Sequence, residues 1–244
     1  MQNLRSRASI GMLAALGWGA VSLQPAAAQP TPGSAVIQRS DGVSSEPVYQ
    51  PPMRGAPSGR VGGGTRGTAG GMPTVDVLAP DHVGLTVQEQ PTLYWFVSAP
   101  VHHPVQLTLV SDDSEKPLAE VDLPIPSKAG IQAVKLSDVG VKLKSDVEYQ
   151  WTVAIVVDAS ERSKDILASG IVKRTLDRRP VAVQDGAMAA KQYAAAGLWY
   201  DALEAASRAI DRAPGDHRAR MQRAALLDQA GLAEAAAFER SGAN

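Results

Sequence analysis

The chain has 244 residues, of which 20% are charged, with 24 basic against 25 acidic side chains and a formal net charge of -1. That balance makes no electrostatic case for nucleic acid or an anionic membrane surface as partner. The absence of cysteine excludes disulfides, a thiol nucleophile and the acylated cysteine of a bacterial lipoprotein.

Arg5 and Arg7 stand before an apolar run from Ile10 to Leu23. The run is shorter than the about 20 residues that span a bilayer, and Ala26-Ala27-Ala28 offers small residues for cleavage. This order predicts a signal peptide over 1–28, a mature start at Gln29 and a periplasmic or secreted location. No Arg-Arg pair in this segment marks the twin-arginine route. Nothing after Gln29 is long and apolar enough to predict a membrane span.

Residues 29–72 are dense in Pro, Gly, Ser and Arg without apolar periodicity. Such composition cannot bury enough surface to offset ordering entropy, which predicts a disordered linker. Gly62, Gly64 and Gly67 satisfy G-x-G-x-x-G in form, but no strand precedes them and no helix follows, so a nucleotide site is rejected.

From Thr74 the pattern alternates. Strands are predicted over Val75–Leu78, Thr92–Val97, Val105–Val110, Ala119–Leu123, Ile131–Leu136, Glu148–Val157 and Ile166–Lys173, each bounded by turn formers such as Pro80-Asp81 and Asp112-Asp113. Seven short strands predict a two-sheet sandwich over 73–178. Leu93, Trp95 and Val97 share one face, as do Tyr149, Trp151, Val153 and Ile155, and these rows are expected to form the core. Leu143 followed six residues later by Tyr149 has the spacing of a tyrosine corner.

After Pro180 the period becomes helical, with helices predicted over Gln184–Ala196, Trp199–Ala213, His217–Ala230 and Leu232–Ser241. Tyr193, Gly197, Trp199, Ala202, Ala209 and Pro214 fall at the spacing of a tetratricopeptide repeat, and a second pair of helices follows it more weakly. Two repeats are short for a free-standing solenoid, so 181–242 should lean on the sandwich or on a partner. Tyr193 and Trp199 are expected to fill the interior between the hairpins. The fold class expected is mainly β plus α. It comprises an immunoglobulin-like or fibronectin III-like antiparallel β-sandwich, followed by a short tetratricopeptide-like helical array.

Residues 49–174 resemble the family called domain of unknown function 928. The resemblance is carried by Arg54-Gly55-Ala56-Pro57, Gly63-Gly64-Thr65-Arg66-Gly67, Leu78-Ala79-Pro80-Asp81, Gly84-Leu85-Thr86, Gln90 to Val97, Tyr149-Gln150-Trp151, Asp158 to Ser163 and Ser169 to Arg174. It implies export and, in some members, neighbouring tetratricopeptide repeats. It implies no activity.

No residue set spells out a reaction. Ser, His and Asp occur in no motif such as G-x-S-x-G. His102 and His103 are adjacent, but neighbours on an extended strand point to opposite faces, so no metal and no other cofactor is expected. Asp158, Glu161, Arg162 and Ser163 share one turn, either as a polar site or as turn caps. Tyr94 and Phe96 point away from Trp95, either as an exposed platform for a glycan or protein or as a face buried under the helices. Together with Tyr193 and Trp199 these are the candidate interaction residues. The expectation is an exported, non-enzymatic protein that binds an envelope protein or peptide. A glycan-binding module and an unrecognised hydrolase are the alternatives.

Overall fold

A computed structural model describes residues 46–52, 60–61, 72–114, 116–178 and 186–242. The expected signal peptide and most of the expected linker lie outside these residues. Among the described residues no helix is long and apolar enough to cross a membrane.

Two sheets are stacked. The smaller has the order β1-β3-β6, from β1 (Val75–Val77), β3 (Thr92–Val97) and β6 (Gly130–Lys135). The larger has the order β2-β8-β7-β4-β5, from β2 (Gly84–Thr86), β8 (Ile166–Arg174), β7 (Glu148–Ile155), β4 (Val105–Ser111) and β5 (Ala119–Leu123). Register decides facing. Val77 pairs with Trp95 and Val75 with Val97, while Trp151 pairs with Gly170 and Leu109. Directly paired residues share a face, so the two expected rows do meet between the sheets. Trp95, Trp151, Tyr149 and Leu93 are buried there. Tyr149 also accepts the Lys144 N–H at 2.8 Å through its hydroxyl, the bond its spacing from Leu143 anticipated.

The expected antiparallel pairing has one exception. Strand β2 runs parallel to β8, because the chain crosses from the small sheet to the large one through Leu78–Val83 and arrives in the same direction as β8.

Strand β3, Thr-Leu-Tyr-Trp-Phe-Val, is buried along its whole length. An apolar residue at both parities needs cover on both faces. The helices supply it: α1 (Gly186–Ala195), α2 (Trp199–Arg212), α3 (His217–Gln229) and α4 (Ala233–Ser241). Helix α2 packs on β2 and β3, and α4 on β6. Phe96 meets Phe238 with ring centroids 5.5 Å apart. Burying Phe96 contributes about 1.5–3 kcal/mol. Ten residues of α2 are buried, so it is an interior helix rather than part of a free-standing array. The helices expected over 181–242 and the strands expected over 73–178 accordingly belong to one unit, Gly42–Asn244.

Candidate functional site

The first turn of α2 closes the edge where the chain crosses between the sheets. Trp199 Nε1 donates to the Leu78 carbonyl at 2.8 Å. Tyr200 accepts from Trp151 Nε1 at 2.9 Å and donates to the Ile171 carbonyl at 3.0 Å. Glycine is required at 84 because a Cβ there would lie 2.6 Å from the Tyr200 ring. Trp199 therefore faces the sandwich, not the space between the hairpins. An aromatic at a helix start is read equally well either way from spacing alone.

From the same first turn of α2 and the turn after it, two carboxylates enter the seam. Asp201 is 2% exposed and Glu204 is 5% exposed. Asp201 Oδ2 accepts the Val87 N–H at 3.1 Å, while Oδ1 accepts no hydrogen bond. Burial pushes the Asp201 carboxyl up to about 6, partly offset by the Thr86 hydroxyl, the Val87 N–H and the Gln88 amide. Glu204 is fully engaged. It accepts from the Gln88 amide, from Thr92 Oγ1 at 3.2 Å and from Arg208 at 2.6 Å. Tyr193, Arg208, Arg212 and Gln88 line the adjoining cavity of about 160 Å³. Burial also raises the Tyr193 phenol. Small-molecule pockets occupy about 300–1,000 Å³, so this cavity is small for one. Its polar groups mainly tie α2 to the turn after β2.

A second buried polar group joins the helices to each other. Arg223 forks onto Glu239 at 2.7 and 3.1 Å and donates to Ser207 Oγ at 3.0 Å. Tyr94 lies against this group, with Ser207 beside its hydroxyl, and burial pushes its phenol up to about 12. Arg223 is thus interior.

The other candidates fall as follows. Tyr94 and Phe96 are 7% and 2% exposed, so they are the covered face and offer no glycan platform. Asp158 accepts from the Ser160 N–H and hydroxyl, which hold its carboxyl below the usual range. Glu161 pairs with Lys164 at 2.6 Å, and Arg162 pairs with Asp165 at 2.6 Å and donates to Gln106 at 2.9 Å. That cluster braces its own turn. Tyr193 is half-buried at the α2 seam. Among the described residues no three His, Asp or Glu side chains converge to hold a metal.

Part of the stretch expected as a linker is held in place. Residues 46–50 alternate out and in, with Pro47 and Tyr49 buried and Val48 exposed. Tyr49 packs edge-on against Trp199 at 5.1 Å and stacks on His82 at 5.8 Å. His82 Nδ1 lies 3.0 Å from the Asp81 carboxylate and Nε2 2.8 Å from the Tyr49 hydroxyl; the tautomer with its proton on Nδ1, facing the carboxylate, leaves Nε2 to accept from that hydroxyl. The backbone is gripped as well. Gln229 Oε1 accepts the Tyr49 N–H at 2.8 Å, Gln229 Nε2 donates to the Pro47 carbonyl at 2.9 Å, and the Gln50 N–H donates to the Ala194 carbonyl at 3.0 Å. Arg60 reaches the carbonyls of Ala79, Ala230 and Gly231, and Val61 bridges to Ser169 at the edge of β8. Composition predicts no core for such a stretch, yet a single aromatic anchor and main-chain bonds suffice to seat it.

No curated protein matches this chain. A family model described as Domain of Unknown Function (DUF928) matches residues 61–239. The match begins later than the resemblance over 49–174 and continues into α4, so one family domain takes in both the strands and the helices that cover them. The chain belongs to the DUF928 family.

Proposed function

We propose that this protein is an exported, non-enzymatic interaction module of the cell envelope. Its sandwich is read as immunoglobulin-like, on the tyrosine-corner bond, and its helices as two tetratricopeptide-like hairpins docked on it. The observation that carries the reading is the seating of Pro47–Gln50: the C-terminal ends of α1 and α3 hold an extended polypeptide through its main chain. Paired helices that grip one strand of backbone have the chemistry to grip another. Export rests on the charged start, short apolar run and small-residue exit of residues 1–28.

The described lining of the Asp201 cavity has no Ser, Thr, Cys or His to serve as a nucleophile or an imidazole base. The test is photocrosslinking in cells from exposed positions beside the groove, such as Val48 and Ala195, followed by calorimetry with the purified crosslinked protein. Micromolar or tighter binding of an envelope protein supports the reading. Substrate turnover that disappears in an Asp201→Asn variant would refute it.

A further inference from the structure

We infer that the groove between His82, Ala194, Trp199 and Gln229 is a receptor site for an extended peptide bearing tyrosine two residues after proline, and that this chain's own Pro47–Gln50 occupies it in cis. The inference rests on the interaction-module reading and names the ligand chemistry.

Three features make this a built site. The first is a fixed backbone reader. Gln229 presents its amide oxygen to one N–H and its amide nitrogen to the carbonyl two residues earlier, and the same nitrogen also donates to the Ala225 carbonyl at 2.8 Å. Only one orientation of the amide satisfies all three partners. The Ala225 bond holds the reader in place from within α3, independently of any ligand.

The second feature is a specific anchor. The Tyr49 ring is enclosed by Trp199 and His82, and its hydroxyl meets a histidine nitrogen whose tautomer Asp81 sets. Phenylalanine would leave that nitrogen without its donor. Gly197, at φ +73, lets the chain pass close by, since a Cβ there would lie 2.7 Å from the Gln50 carbonyl oxygen.

The third feature is the boundary between receptor and ligand. Every groove residue named lies inside the family-matched span 61–239, whereas Pro47–Gln50 precedes it. The bound segment also makes no sheet pairing and buries only alternate side chains. Alternate pockets with main-chain bonds are how extended peptides are read in trans. A tethered segment acts at an effective concentration on the order of millimolar, so it suppresses weaker competitors and yields to a stronger partner.

The test uses a fluorescently labelled heptapeptide with the sequence of residues 46–52 and the full chain, read by fluorescence anisotropy. In Tyr49→Ala the cis segment loses its anchor while the groove is untouched, so the peptide should bind at least about tenfold more tightly than to the wild-type chain. Adding Gln229→Ala should abolish binding, and a peptide with Ala in place of its tyrosine should not bind. Gln50→Pro is the gentler companion variant. It removes the N–H donated to Ala194, at an exposed position, while restricting Tyr49 before it to the extended region, and should give an intermediate gain. A thermal melt of each variant confirms folding. Folded Tyr49→Ala and Gln50→Pro chains that bind the peptide no better than wild type would overturn the inference. So would binding indifferent to Gln229→Ala. Capture of the crosslinked envelope protein that persists when the peptide fails would remove this site and leave the interaction-module reading standing.

Discussion

Replacing Asp201 by Asn should reshape the dependence of stability on pH. The Asp201 carboxyl moves from its ordinary 3.8 to about 6 on folding, because burial under α2 penalises its charge more than the Val87 N–H and its neighbours offset it. The folded state therefore holds a proton more tightly than the unfolded state. The resulting stabilisation is fully present below about pH 4 and is lost as pH rises through about 6. A shift of about two units corresponds to about 3 kcal/mol at 1.36 kcal/mol per unit. Asn keeps an oxygen for the Val87 N–H and carries no charge at any pH. Its stability relative to wild type should be near zero at about pH 4 and rise to about 3 kcal/mol in its favour at about pH 7. Glu204, Arg208 and Arg212 on the same helix are present in both proteins, so subtracting the two curves removes their own titration. Urea unfolding at half-unit pH steps measures the difference. Parallel curves for the two proteins would refute the argument and show that Asp201 remains well solvated.

Tyr200→Phe should cost about 1–3 kcal/mol in a urea melt, since it strands the buried Trp151 N–H and frees the Ile171 carbonyl. An unchanged midpoint would mean that water replaces the hydroxyl. Truncation after Arg178 should abolish the cooperative thermal transition, because it strips the cover from Tyr94 and Phe96 and removes Trp199 and Tyr200 from the sandwich edge. A truncated chain that melts cooperatively and ignores a hydrophobic dye would contradict this.

Alternation made most of the strands legible. Leu93, Trp95 and Val97 against Tyr149, Trp151, Val153 and Ile155 specified both the pairing faces and the core. The small strand Gly84–Thr86 escaped, because one apolar residue between Gly and Thr carries no period. Its parallel pairing depends on a partner more than 80 residues away, which no local pattern encodes. The helix boundaries were legible from their glycine and proline breaks, but the burial of their charges was not. Nothing in the sequence of α2 alone distinguishes Asp201 and Glu204 from solvated helix carboxylates. What makes them interior is the Val87 N–H, Gln88 and Thr92, over 100 residues earlier. Tyr49 was hidden for a related reason. It stands between Pro47 and Pro51 with no apolar period around it, and its partners come from elsewhere in the chain.

The reach of those contacts bears on how the molecule is made. Leu78 waits for Trp199, Thr92 for Glu204 and Tyr49 for Gln229, separations of 121, 112 and 180 residues. Contacts of such long range require large loops to close before any reward is gained, which slows folding. A chain emerging from its N-terminus completes the small sheet well before α2 and α4 exist. During that interval the outer face of β3 shows Tyr94 and Phe96 to solvent, an adhesive surface for other nascent copies. The helices thus act late, as the step that ends a vulnerable period, and their loss would be felt first in yield.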